Sequence, residues 1–345
     1  ILFLFLSKII NSNESLIKNL KKNQNKKNIF ITFLIPIYNE EKNLKNLISS
    51  IFMNNNENIE IIFIDDSSKD NSLNILKYYQ ELYQFKIIHL DKQKLVSDVL
   101  NKGLLYIDNK TSHIGILNGD CYVPNNFFEM IKERLMNYDI DVLNVNNKVL
   151  NYEKNNIWNY FSYLEKDYKN YIFNYIESSL NNGYIIDKNL LYKLNGWKSI
   201  TEDLNLNLKI KSKNIQIYHE PNINVYDTIP DTFSKLLKQK FRWMYGDLTN
   251  RIKFNEKNLF DIIVNIYYIF PFYFLCNLIF NNLNIYHLQI QIILTELILY
   301  YKSKKYNINY LFESIIYACF QFSFQLYFYI KLIFKLFIDN NKITW

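Results

Sequence analysis

Phe30-Ile31-Thr32-Phe33-Leu34-Ile35-Pro36-Ile37-Tyr38-Asn39-Glu40 decides how the first half of the chain is read. An apolar run rich in Ile and Phe ends near a proline and gives way at once to polar residues. That pattern predicts a buried strand over 30–37. Leu44, Leu47, Ile48 and Ile51 then fall at helical spacing, so 40–52 is a helix. A second buried strand over 59–64 runs into Asp65-Asp66-Ser67-Ser68. A helix over 72–82, a strand over 85–90 and a helix over 95–107 follow. The next strand, 113–117, ends in Asn118-Gly119-Asp120, and a helix over 125–136 and a strand over 140–145 complete the series. Such alternation predicts an α/β domain with a mostly parallel sheet. In sheets of this kind ligands bind beyond the carboxyl ends of the strands. Tyr38-Asn39-Glu40, Asp65-Asp66 and Asn118-Gly119-Asp120 all lie at those ends.

Further along, residues 155–180 are aromatic and polar, with Trp158, Tyr160, Phe161, Tyr163 and Tyr168, and read as a helix covering the site. The chain then sets an acidic pair, Glu202-Asp203, ahead of a basic, aromatic segment, Gln239-Lys240-Phe241-Arg242-Trp243. Residues 228–250 form a basic amphipathic helix with Phe233, Leu236, Leu237, Phe241 and Met244 on one side. Its Lys and Arg density favours a helix lying in a membrane interface, with a core helix as the plainer alternative.

Hydrophobic residues make up 49% of the 345, and they accumulate after Phe254. Residues 259–280, 285–301 and 310–337 are the expected membrane spans, the last with Lys331 and Lys335 placed to snorkel. The basic loop at 302–305 belongs on the cytoplasmic side, which puts the domain before 259 there too. Residues 1–10 are apolar but too short to span a bilayer, and 11–27 are polar and basic. The expected divisions are an N-terminal stub and linker (1–27), an α/β domain (28–227), an interfacial helix (228–257) and a membrane region (258–345).

The formal net charge is +7, and two of the three basic clusters sit beside apolar stretches. That favours anionic lipid headgroups and argues against a nucleic-acid partner. Cys121, Cys276 and Cys319 have no metal-binding spacing, and four scattered histidines suggest no His-based metal site. Each polar cluster also has a local reading. Asp65-Asp66 would serve as a helix cap, Asn118-Gly119 as a turn, Glu202-Asp203 as first-turn acids on a helix dipole, and Arg242-Trp243 as an interfacial anchor. Their order and spacing lift the functional reading above these.

Taken together, 33–40, 64–70, Asn118-Gly119-Asp120, Thr201-Glu202-Asp203 and Gln239-Lys240-Phe241-Arg242-Trp243 resemble the motifs of family 2 glycosyltransferases, with their DxD, TED and QxxRW. Thirty-five residues separate Asp203 from Gln239, the spacing of the membrane-integrated polysaccharide synthases. The resemblance implies a GT-A fold, a UDP-sugar donor, Mg²⁺ or Mn²⁺, and transfer with inversion to a glycan or lipid acceptor at a bilayer. It implies Asp203, with Glu202, as the catalytic pair and Asp203 as base. Pro36, Tyr38, Glu40, Asp65 and Asp66 would hold the nucleotide, Asp120 the cation, Gln239 and Arg242 the diphosphate end of the donor, and Trp243 the acceptor. Two positions depart from the pattern: Asn118 replaces the first Asp of DxD, and Val96 stands where a Lys is usual, with Lys94 two residues away. A polymer channel built from three spans would be small, or would need another subunit or an oligomer. The alternatives are single transfer to a lipid and a non-catalytic sugar-nucleotide-binding membrane protein.

Overall fold

The structure, a computed structural model, describes residues 29–54, 57–153, 155–175, 180–254, 327 and 330. The chain divides into two compact units, Ile1–Asn250 and Arg251–Trp345. Among the described residues no helix is long and apolar enough to cross a membrane. The expected spans over 259–280, 285–301 and 310–337, and the stub over 1–27, lie outside the described residues.

The first unit is built on one eight-stranded sheet ordered β3-β2-β1-β4-β7-β6-β8-β5. Its strands are β1 (Ile31–Ile37), β2 (Ile59–Asp65), β3 (Lys86–His89), β4 (His113–Ile116), β5 (Cys121–Tyr122), β6 (Val142–Val149), β7 (Ile185–Asp187) and β8 (Tyr218–Asp227). β1 pairs in parallel with β2 and β4, β2 with β3, and β6 with β8. β7 runs antiparallel to both β4 and β6, and β5 antiparallel to β8. The mostly parallel expectation therefore describes β1–β4, β6 and β8, with β5 and β7 reversed.

The helices are α1 (Leu44–Phe52), α2 (Ser72–Gln80), α3 (Val96–Gly103), α4 (Phe127–Asn137), α5 (Ile157–Tyr175), α6 (Lys188–Lys193), α7 (Glu202–Ser212) and α8 (Phe233–Phe254). Successive side chains of a strand point to opposite faces of the sheet, and β1 serves both. Phe33, Ile35 and Ile37 join Leu44, Leu47, Ile48, Phe127 and Phe128 in one core. Leu34 joins Ile62, Ile64, Val99, Leu100 and Trp197 in the other. A strand covered on both faces has no solvent side, which explains its continuous apolar run.

In α8 the apolar stripe is not bare. Leu236, Phe241 and Met244 are buried, as are the polar Lys240, Asp247 and Asn250. Phe233 stays exposed, its ring tilted 40° against that of Trp158 at 4.7 Å between centroids. The side expected to face a membrane interface is thus largely enclosed, as in the core-helix alternative, because Lys240 meets a buried carboxylate on α5.

Candidate active site

The carboxyl ends of β1 and β2 are fastened by a run of side-chain-to-backbone bonds. The Asn39 amide donates to Ser68 Oγ (3.0 Å), Lys69 N to Asn39 Oδ1 (2.8 Å), and Glu40 N to Ser72 Oγ (2.8 Å). Asn39 and Ser67 sit at φ of 57° and 63°, left-handed conformations at the two turns. The side chain of Tyr38 is exposed at this edge.

Asp65 and Asp66 have different surroundings. Asp65 is wholly buried and its Oδ2 lies 2.7 Å from His89 Nδ1, which ties β2 to β3. Asp66 takes the backbone N–H of Lys94 on both oxygens, at 2.9 and 3.2 Å. Burial pushes the Asp66 carboxyl up to about 6, against the pull of that amide. Lys94, two residues from the departure at Val96, therefore acts here through its main chain.

Glu40 links the carboxyl end of β1 to Asp120. Burial raises its carboxyl to about 7, Asn43 opposes the rise with a 2.7 Å bond, and Asp120 and Asp70 add to it. Gly119 lies in contact with this corner. A Cβ there would come within 2.8 Å of Ile37 Cδ1 and 3.0 Å of Glu40 Cγ, so a glycine between Asn118 and Asp120 is a packing requirement.

Asp120 accepts a bond from the Thr228 hydroxyl at 2.5 Å. Its carboxyl is raised by burial and then by the charge of Asp227, the last residue of β8. Asp227 in turn takes Lys166 Nζ at 2.8 Å on one oxygen and the Asn182 amide on the other. Asn182 Oδ1 accepts the main-chain N–H of Asn118 at 2.9 Å, closing the ring of contacts. Asp227, Thr228, Lys166 and Asn182 were not anticipated in sequence. The alternation of Ile223, Val225 and Asp227 along β8 was the available signal. Among the described residues no three His, Cys, Asp or Glu side chains gather as a metal cluster. Asp120 and Asp227 are two hard oxygen donors facing each other with like charge, and that fits a divalent cation whose remaining ligands come from a diphosphate.

The acidic pair opens α7. Thr201 precedes it and is buried. Asn250 Nδ2 donates to Thr201 Oγ1 (2.9 Å), and Asn205 Nδ2 donates to Asn250 Oδ1 (2.9 Å). A Cβ on Gly246 would lie 2.4 Å from Thr201 Cγ2, so α8 passes close against the Thr201 side chain. Arg242 is four residues before Gly246 and thus on the same side of α8. Burial first, then the charge of Asp203, lifts Glu202 to about 8, while Arg242 draws it down. Asp203 Oδ1 accepts the N–H of Leu204 at 2.7 Å. Arg242 is exposed, and Gln239 and Trp243 are half-buried. Trp197 holds the preceding turn in place, donating from Nε1 to Tyr184 Oη at 2.5 Å and exchanging two bonds with Asn101 (2.8 and 3.1 Å).

The structure thus brings Glu40 near Asp120, Asp120 near Asp227, and Glu202 and Asp203 near Arg242. Pro36 and Tyr38 stand at the same edge as Asp66, because the main chain of Asp66 bonds Ile37 O at 2.8 Å. A cavity of about 540 Å³, lined by His113, Asp139, Asp141 and Asp187, opens at the other end of the strands and takes no part in this arrangement.

Residues 32–194 match the family described as Glycosyl transferase family 2. The poly-beta-1,6-N-acetyl-D-glucosamine synthase of Staphylococcus epidermidis is 25% identical over 228 residues, covering 63% of this chain and 54% of that protein. The glycosyltransferase GlyG of Streptococcus pneumoniae serotype 4 is 28% identical over 138 residues, covering 40% of this chain and 41% of its own length. The chain spans about half the length of the curated synthases it matches. Among solved structures, the mannosyltransferase PcManGT of Pyrobaculum calidifontis, in complex with GDP-Man and Mn²⁺, aligns with a TM-score of 0.56 at 12% identity, over 74% of this chain and 72% of that one. That likeness shows a shared fold. Over residues 32–194 the chain matches a glycosyl transferase family 2 domain, and its mixed α/β sheet is GT-A-like.

Proposed function

We propose that this domain transfers a sugar, with inversion, from a UDP-sugar to a growing β-linked polysaccharide at a membrane. The observation that carries the proposal is the clamp of Asn250 and Gly246 on Thr201. It fixes an acidic pair and the helix bearing Gln239, Arg242 and Trp243 in one frame. A base and a diphosphate-binding cation are then held together by helix packing, not by a loop.

In this reading the uridine lies at Pro36, Tyr38, Glu40 and Asp66, with Asp65 supporting the loop through His89. The acceptor hydroxyl attacks the anomeric carbon, the bond from that carbon to the diphosphate breaks, and UDP leaves with the electron pair. Asp203 takes the hydroxyl proton. Glu202, whose carboxyl burial and the charge of Asp203 raise to about 8, keeps its own proton at neutral pH. Arg242 pairs with the departing diphosphate through its forked donors, and Gln239 adds a hydrogen bond. Trp243 offers a flat face to the acceptor sugar. Asp120 and Asp227 would hold Mg²⁺ or Mn²⁺, which supplies charge neutralisation of the diphosphate when bound. The membrane part of the proposal rests on the apolar stretches after Phe254. The polymer acceptor is supported by the similarity to poly-N-acetylglucosamine synthases.

The test is incorporation of labelled UDP-glucose, UDP-N-acetylglucosamine, UDP-galactose or UDP-glucuronate by membranes carrying the full chain, with GDP-mannose alongside. Label in high-molecular-weight glycan supports the proposal. Label confined to organic-soluble lipid replaces the polymer by a glycolipid. Incorporation from GDP-mannose alone would overturn the assignment of uridine. No incorporation or nucleotide release with any donor would leave a binding protein.

A further inference from the structure

Lys166 has no place in the reaction just described, yet it reaches the site. It projects from α5, the helix that covers the sheet edge, and its ammonium stands 2.8 Å from Asp227 Oδ2. Both side chains are mostly enclosed, at 17% and 10% exposure, so water screens the pair weakly. Asp227 faces Asp120, and the charge of Lys166 also reaches Asp120. Two carboxylates that would hold a divalent cation are thus already served by one fixed positive charge from within the chain. The same corner carries Asn118 where the resembling family has an acid, so one lysine meets fewer carboxylates there than it would in the family's usual pattern.

The position of Lys166 is not incidental to α5. Its neighbour Glu165 makes an ion pair with Lys240 of α8, and both of those groups are buried. Adjacent residues on a helix point in different directions, so α5 is held from two sides at this level, by β8 and by α8. An ammonium fixed in this way needs no search through rotamers to neutralise Asp227.

We infer that Lys166 is a built-in occupant of the cation subsite, a tethered ammonium that an incoming divalent cation must displace from Asp227. The inference rests on the reading of Asp120 and Asp227 as the cation-binding pair. It concerns how that subsite is kept before donor arrives. The lysine stabilises the facing carboxylates in the absence of metal, and its departure from Asp227 accompanies metal binding. Metal affinity in the absence of nucleotide is then low, because like charges compete for one carboxylate, and the diphosphate of the donor shifts the balance by adding oxygen ligands.

The experiment uses the full chain in detergent or nanodiscs, and Mn²⁺ alone as the probe, with free Mn²⁺ followed by electron paramagnetic resonance. Lys166→Met is expected to bind Mn²⁺ about tenfold or more tightly than the natural chain, through removal of a like charge. Lys166→Arg is expected to stay weak, and Lys166→Met combined with Asp227→Asn to lose the gain. A second measurement needs no variant. The reactivity of Lys166 toward an amine-modifying reagent, read by peptide mass spectrometry, should rise as Mn²⁺ with UDP saturates the natural chain. If Mn²⁺ binds in the presence of UDP but Lys166→Met binds it no more tightly and the labelling stays flat, the lysine inference is overturned and the cation reading stands. If Mn²⁺ binds to none of the proteins even with UDP, the cation reading falls and the lysine inference falls with it.

Discussion

Glu202 and Asp203 are neighbours at the start of one helix, and two charges in that enclosed turn repel. Raising Glu202 to about 8 eases the conflict by leaving that carboxyl protonated at neutral pH. Asp203→Asn is therefore expected to lower kcat by about 10²–10⁴-fold, the usual contribution of a general base, with UDP affinity in titration calorimetry nearly unchanged. Glu202→Gln should retain most of its rate at pH 7, since it mimics the protonated acid. Above pH 8 the natural enzyme gains a second negative charge beside the diphosphate and should slow; the variant's pH–rate profile should lack that limb. Asp120→Asn should abolish the dependence of UDP affinity on added Mn²⁺, and equal affinity loss on chelation in both proteins would count against Asp120 as a ligand. The acids at 65–66, 120 and 202–203 were legible in sequence because they follow strands or precede a helix in a fixed order. Their partners were not. Asn182, Asn250 and Asp227 act by crossing 45 or more residues of chain to reach Asn118's, Thr201's and Asn182's neighbourhoods, and local spacing carries no record of such bonds.

Elements were read in proportion to how completely they bury one kind of side chain. β1 and β2 are apolar on both faces and declared themselves as runs. β7 is three residues long, Ile185–Asp187, below the length at which alternation can be counted. α7 buries Asn205 and Asn207 beside Leu206 and Leu208, so its apolar period is blurred and only its acidic first turn shows in the sequence. The same blurring marks α8, where Lys240 is enclosed beside Glu165, so that a basic amphipathic pattern is shared by an enclosed helix and one lying at a membrane interface. The crossing of α8 over Thr201 gives a prediction at this scale. Gly246→Ala should raise helix propensity by about 1 kcal/mol, yet its Cβ has 2.4 Å where contact needs more than 3. Overpacking of this kind costs about 1–3 kcal/mol, and the turn carrying Glu202 and Asp203 has to shift. A lower Tm with a kcat reduced about tenfold or more is expected, since small misplacements of reacting groups are costly. A variant with natural kcat would show that the turn tolerates displacement.

For the whole first unit, pH acts in two opposing directions. His219 of β8 is enclosed, and burial lowers its imidazole from 6.5 to about 4. The unfolded chain therefore binds the extra proton first as pH falls, and stability is lost between pH 6.5 and 4, by about 3 kcal/mol at most. Asp66, Glu40 and Glu202 act with opposite sign. Their raised values, about 6, about 7 and about 8 against 3.8, 4.5 and 4.5, mean that the folded state holds protons the unfolded chain has released, so stability falls as pH rises through each window. The two trends partly cancel between pH 4 and 6.5. Replacing His219 by Gln should steepen the decline: urea midpoints of the variant should fall more sharply between pH 4 and 6.5 than those of the natural chain, and run parallel to them above that range. Identical pH dependence in the two proteins would mean that His219 is solvated in the fold.

The bridge made by Asn182 has one more consequence, on the scale of the protein's age. Asn182 is followed by Gly183, and Asn118 by Gly119. An asparagine before glycine is the pair most open to attack of the following main-chain nitrogen on the side-chain amide, because glycine places no Cβ in the way. Ammonia leaves, and water opens the resulting ring to an acid. At Asn182 the change would turn the donor that now serves Asp227 into a third carboxylate facing it, loosening the very contact that closes the site. At exposed Asn118 it would create an acid beside Gly119 and Asp120. Stored protein should accordingly accumulate acidic charge variants whose altered peptides map to these two positions and to Asn195, which also precedes a glycine, and the cation affinity of such a preparation would come to depend on how long it has stood.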